Sequence, residues 1–103
     1  MQGREQVIIQ TANVSVRELT LEPFEQAPWH YHSQITDHMY CLTGALAIQC
    51  RDPEHNYSLQ PGHRCTIPAG RVHRVVNDSA QPAVYLLVQG IGNYDFNVVA
   101  PLA

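Results

Sequence analysis

Four side chains, His30, His32, Asp37 and His73, are of the types that hold a first-row divalent ion, and their spacing lets them reach one. His30 and His32 sit at i and i+2, so on a strand both imidazoles share a face while Tyr31 points away. Asp37 would lie on the wrong face of one continuous strand. The polar connection Ser33–Thr36 resolves this, because a turn resets the parity. Asp37 is then expected to begin a new strand running beside the first, with Met39 and Cys41 on its face. His73 arrives from a distant stretch, GHRCTIPAGRVHRVVN, where it follows a Pro68-Ala69-Gly70 turn and shares its parity with Val75 and Asn77. Three imidazoles and one carboxylate suit Mn, Fe, Ni, Cu or Zn. On an octahedral ion they leave two neighbouring positions for water, substrate or dioxygen, which is an open, catalytic type of site.

A lone His-x-His on a strand is more often two ordinary histidines than a ligand pair. The added carboxylate and the distant histidine behind a Pro-x-Gly turn strengthen the metal reading. His38 is the rival donor, but its parity opposes that of Asp37 and turns it outward or toward an interface. His55, in a hairpin loop, and His63, after a turn glycine, read as exposed. Arg74 has opposite parity to His73 and reads as a surface residue, whereas Arg71, in the turn, is within reach of a substrate carboxylate. Met39 and Cys41 read as core filling, Trp29, Tyr31, Tyr40 and Tyr85 as packing aromatics, and Asn77 as an amide tying down a loop.

The elements that must carry these residues are strands. No window sustains an apolar period of 3.6. Short β-branched and aromatic runs alternate instead with Gly, Pro, Asn and Asp signals. The runs are 7–10, 14–21, 29–32, 39–42, 45–51, 57–59, 64–67, 72–77, 83–89 and 96–99, with a hairpin loop at 52–56. Within 14–21 the apolar parity slips between Val16 and Leu19, which suggests a bulge or a strand buried on both faces. Eight to ten strands at this spacing point to a sandwich or barrel without helices. The piece 96–99 and the tail 100–103 are expected to add a strand to the barrel or to a partner subunit.

Composition narrows the function classes. With 103 residues and 45% hydrophobic content, residues 1–103 read as one domain with its own core. The net charge is −3 and there is no Lys, so neither a basic footprint for nucleic acid or anionic membrane nor a Schiff-base lysine is present. MQGREQVIIQ contains no apolar run of signal-peptide or anchor length. Cys41, Cys50 and Cys65 cannot all pair and form no C-x-x-C, which suits reduced thiols in a cytoplasmic protein.

Two stretches resemble the conserved motifs of the cupin superfamily. Residues 24–44 resemble the first, G-x(5)-H-x-H-x(3,4)-E-x(6)-G, through His30, His32 and Gly44, with Asp37 where the family has Glu and Phe24 where it has the opening Gly. Residues 62–77 resemble the second, G-x(5)-P-x-G-x(2)-H-x(3)-N, with Gly62, Pro68, Gly70, His73 and Asn77 all in register. The resemblance implies a small all-β double-stranded β-helix (jelly-roll) barrel, generally assembled as a homodimer. It also implies a divalent transition metal near its centre on His30, His32, Asp37 and His73. Asp is one methylene shorter than Glu, so Asp37 binds directly, binds through water, or leaves a three-His site. The implied function is a small metalloenzyme acting on an oxygen-rich chelating molecule such as a phenol, keto acid, polyketide fragment or sugar acid. Dioxygenase, isomerase and cyclase chemistry all occur on this frame. The alternative is a non-catalytic module sensing a small ligand or a metal.

Overall fold

The computed structural model describes residues 4–100, and among these every regular element is a strand. In chain order they are β1 (Glu5–Gln10), β2 (Val14–Leu21), β3 (His30–Tyr31), β4 (Thr36–Thr43), β5 (Leu46–Cys50), β6 (His55–Leu59), β7 (Arg64–Ile67), β8 (His73–Val76), β9 (Ala83–Gly90) and β10 (Asn97–Val98). They form two antiparallel five-stranded sheets, ordered β1-β2-β9-β4-β7 and β10-β3-β8-β5-β6. After β2 the chain changes sheet at every connection except the β5–β6 hairpin, and this winding is the expected double-stranded β-helix.

The crossings depend on particular turn residues. Gly44, between β4 and β5, has φ of +75°, and a Cβ there would lie 2.5 Å from the Pro82 carbonyl oxygen. Gly70 has φ of +82°, and its amide donates to the His32 carbonyl at 2.7 Å. That bond ties the Pro68–Gly70 turn to the histidine strand. The Asn77 amide is fully buried. It donates to the carbonyls of Leu21, Glu22 and Gln81 and accepts from the Ser79 amide and hydroxyl, so it pins the loop before β9.

Cross-strand register sorts the interior by chemistry. On the first sheet Tyr85 faces Leu19 and Cys41, and Leu87 faces Met39. One step further along the same strands, Gln89 faces Asp37 and Ser15. Leu19, Leu21, Met39, Cys41, Ile48, Val75 and Tyr85 thus fill one end of the barrel, and polar side chains occupy the other. The three cysteines are free and buried, and burial pushes the Cys65 thiol up to about 12, which keeps it a core residue rather than a nucleophile.

The structure departs from the sequence reading in three places. β4 does not run beside β3, because β3 lies in one sheet and β4 in the other, so Asp37 faces the histidines across the barrel. β2 pairs with β9 without interruption over its whole length, and the irregularity sits in β1, where Ile8 is the extra residue between Val7 and Ile9. The slip in β2 is ordinary alternation: Leu19 and Leu21 point inward while Val14 and Val16 point outward, under β1. The 52–56 loop is shorter than expected, since β6 already begins at His55. The last apolar piece does join the barrel, as β10 against β3, and 101–103 lie outside the described residues.

Candidate metal centre

All four sequence candidates meet. His30 and His32 come from β3 and the residue just after it, His73 begins β8, and Asp37 comes from β4 in the opposing sheet. All are buried, and one ligand-type atom from each lies within 4.8 Å of the others. His30 and His73 are direct cross-strand partners with ring centroids 4.4 Å apart. His38 stays on the outer face against the Thr66 hydroxyl, and His55 and His63 are exposed, as their parity and turns required.

Each histidine is oriented by a backbone carbonyl. Nδ1 of His30 lies 2.8 Å from the Pro28 oxygen, Nδ1 of His73 lies 2.8 Å from the Arg71 oxygen, and Nδ1 of His32 lies 2.6 Å from the Asp95 oxygen. A carbonyl only accepts, so each Nδ1 carries a proton and each neutral ring offers its Nε2 lone pair to the centre. Asp37 Oδ2 stands 2.9 Å from His73 Nε2 and 3.2 Å from His32 Nε2. His32 Nε2 is buried without a hydrogen-bond partner. Lone pairs facing a carboxylate oxygen at these distances require a cation between them, either an added proton or a metal ion. The donor set therefore fits a divalent transition ion.

The electrostatics follow from this packing. Burial pulls His30 down to about 4, beyond what its carbonyl partner restores. Burial also opposes charging of His32, but the hydrogen bond and charge of Asp37 outweigh it and raise its pKa. Burial would raise Asp37, yet hydrogen bonds with His32, His73 and Gln89 hold it well below the usual carboxylate range.

One part of the site escaped the sequence reading. Asp37 Oδ1 accepts from Gln89 Nε2 at 2.9 Å, Gln89 Oε1 accepts from Arg17 Nη2 at 2.6 Å, and Arg17 Nη1 pairs with Glu5 at 3.1 Å. These four residues stand on four successive strands, β4, β9, β2 and β1, and form a polar ladder across the sheet. Its signal in the sequence is parity: Gln89 shares the buried parity of Tyr85 and Leu87, and Arg17 that of Leu19 and Leu21. The segment after β9 supplies the other wall. Phe96 stacks on His30 at 4.3 Å, Tyr94 lies 5.5 Å from His32, and the Asp95 carboxylate accepts from the amide and hydroxyl of Ser33. Together these residues enclose a cavity of about 320 Å³ in front of the four candidate ligands. Arg71 does not enter it, since its guanidinium donates to the Pro53 carbonyl at 2.7 Å. Arg74 lies outside on Trp29, 4.6 Å from the ring centroid, opposite Arg51 at 4.1 Å.

The family model of the cupin domain matches residues 17–89, more than half of the chain. The chain belongs to the cupin family. This cupin resembles several solved structures at low identity. One is an uncharacterized conserved protein with a double-stranded beta-helix domain from Klebsiella pneumoniae subsp. pneumoniae MGH 78578. It is 19% identical with a TM-score of 0.83, over 96% of this chain and 80% of that one. The polyketide cyclase RemF from Streptomyces resistomycificus is 20% identical with a TM-score of 0.83, over 98% and 73%. An oxalate oxidase is 19% identical with a TM-score of 0.76, over 84% of this cupin but only 46% of its own chain. At these identities the likeness is one of fold. No curated protein sequence matches this cupin significantly. Phe24, at the position of the family's opening glycine, keeps a glycine-like φ of +61°.

Proposed function

We propose that this cupin is a metalloenzyme that binds one divalent transition ion through His30, His32, Asp37 and His73 and acts on a small, oxygen-rich chelating molecule. The observation that carries the reading is the convergence of three carbonyl-oriented imidazoles on a buried carboxylate within 4.8 Å, at the end of an enclosed cavity. A divalent ion held there supplies Lewis acidity, which favours the ionised form of a chelated oxygen. The chain's own residues do the rest. The Nδ1–carbonyl bonds hold the ring planes, and Gln89 holds Asp37 Oδ1 aside so that Oδ2 faces the centre. Phe96, Met39 and Leu87 present apolar surface that limits water around the substrate. The names of two similar folds, a polyketide cyclase and an oxalate oxidase, involve oxygen-rich molecules and support this substrate class.

Elemental analysis of protein purified without a chelating tag tests the metal. About one equivalent per chain is expected, lost in His73→Ala and kept in His55→Ala. No metal after reconstitution with Fe, Mn, Ni, Cu or Zn would overturn the proposal. Turnover across a panel of phenols and keto acids separates an enzyme from a non-catalytic ligand sensor.

We also propose a homodimer through β1. This edge strand is exposed along its whole length, with Val7, Ile8 and Ile9 each about half exposed, and a sheet edge bearing apolar side chains favours pairing with a second copy. Sedimentation should report a dimer for the wild type and a monomer for Ile9→Lys. A wild-type monomer refutes this assembly.

A further inference from the structure

The cavity is apolar over most of its wall and cationic at one point. Leu19, Ala27, Met39, Val75 and Leu87 line it, with the Tyr94 and Phe96 rings on the side of the post-β9 segment. Arg17 is the one arginine that lines it, and the chain has no lysine. Its Nη1 pairs with Glu5, its Nη2 donates to Gln89, and its Nε is buried with no hydrogen-bond partner. A buried guanidinium N–H without an acceptor is costly unless a bound molecule supplies one. The Glu5 side chain is 43% exposed, so its pair with Arg17 is a weak, screened surface contact that an incoming carboxylate can replace.

We propose that the substrate is a planar aromatic carboxylate. Its chelating oxygens lie on one edge of the ring, at the His30–His32–Asp37–His73 cluster, and its carboxylate on the opposite edge is received by Arg17. The assignment rests on the metal reading above and narrows its substrate class. Arg17 reaches Asp37 through one amide and two hydrogen bonds, by way of Gln89, a span that a single ring with its substituents bridges. The flat, forked guanidinium matches a planar carboxylate, and the Phe96 and Tyr94 rings match an aromatic face. A sugar acid is a poorer fit, because its hydroxyls would meet Leu87, Met39 and Val75, which offer no hydrogen bonds.

The test measures dissociation constants by calorimetry at low salt, with metal content determined on the same samples. The probes are 3,4-dihydroxybenzoate and its neutral analogue 3,4-dihydroxybenzamide. Both chelate through the same diol, so their ratio is independent of metal occupancy. The wild type should favour the acid at least tenfold, Arg17→Met should bring the ratio near one, and Arg17→Lys should keep part of the preference. A wild-type ratio near one, or an Arg17→Met ratio equal to the wild type, overturns the proposal. Should Arg17→Met not fold, Glu5→Gln decides: removing the competing carboxylate should raise the ratio several-fold, and an unchanged or lower ratio overturns it. Failure of the metal reading shows separately. Benzoate would then bind as tightly as 3,4-dihydroxybenzoate, whatever the preference for acid over amide.

Discussion

Gln89 offers a sharp test of how the ladder supports the centre. Replacing Gln89 with Leu preserves approximate volume in a fully walled position but removes both ends of the amide. Asp37 Oδ1 loses the 2.9 Å donor and Arg17 loses the 2.6 Å acceptor. A hydrogen bond to a charged group contributes about 1.5–3 kcal/mol. Loss of a residue that orients a metal ligand costs about 10–100-fold in affinity, or about 1.4–2.7 kcal/mol. The two estimates agree, so Gln89→Leu should weaken metal binding by one to two orders of magnitude. Competition with a chromophoric chelator measures this directly, and the visible bands of the cobalt-substituted protein should shift as the carboxylate reorients. Thermal unfolding of the chelator-treated protein is the companion readout. Metal affinity within twofold of the wild type, with lower stability alone, would show that Gln89 only fills space. Tighter binding would show that the amide withholds Oδ1 from the ion.

Phe24→Gly should stabilise the protein. A left-handed φ of +61° costs a non-glycine residue about 1–2 kcal/mol, against about 0.5–1 kcal/mol for the extra unfolded freedom of glycine. Phe24 is 66% exposed, so little packing is lost, and the melting temperature should rise by a few degrees; a fall would refute the strain argument. The second expectation concerns acid. The folded-state pKa of His30, pulled from 6.5 to about 4, lies below its unfolded value, so His30 contributes stability above pH 6.5 that is lost as pH falls toward 4. The loss is roughly 3 kcal/mol at about 1.4 kcal/mol per pH unit. His32, whose pKa is raised, contributes below 6.5 and loses that contribution as pH rises. Asp37, whose pKa is depressed, loses its contribution only below the usual carboxylate range. Thermal melts of chelator-treated protein should therefore drop between pH 6.5 and 4, and His30→Gln should flatten that slope. An unchanged slope would assign the acid sensitivity elsewhere.

The sequence alone determined what is local in a strand. Alternation is a period-two property of the backbone, so His30 with His32, Asp37 with Met39 and Cys41, and His73 with Val75 and Asn77 could each be placed on one face before any tertiary contact was known. Turn chemistry is equally local, and Gly44 and Gly70 mark crossings because few other residues adopt their φ. Together these features suffice for ten strands, the barrel and the four converging side chains.

Tertiary structure decided which faces meet. The turn at Ser33–Thr36 resets parity whether β4 returns beside β3 or crosses to the other sheet, and only the pairing of β4 with β7 and β9 chose the crossing. That choice sets Asp37 opposite the histidines and beside Gln89. The Glu5–Arg17–Gln89–Asp37 ladder joins residues as far apart as 5 and 89, and its order exists only once β1, β2, β9 and β4 lie side by side. Arg71 shows the converse. Two residues from His73 in sequence, it turns to the Pro53 carbonyl, whereas Arg17, remote in sequence, enters the cavity through its neighbours in the sheet.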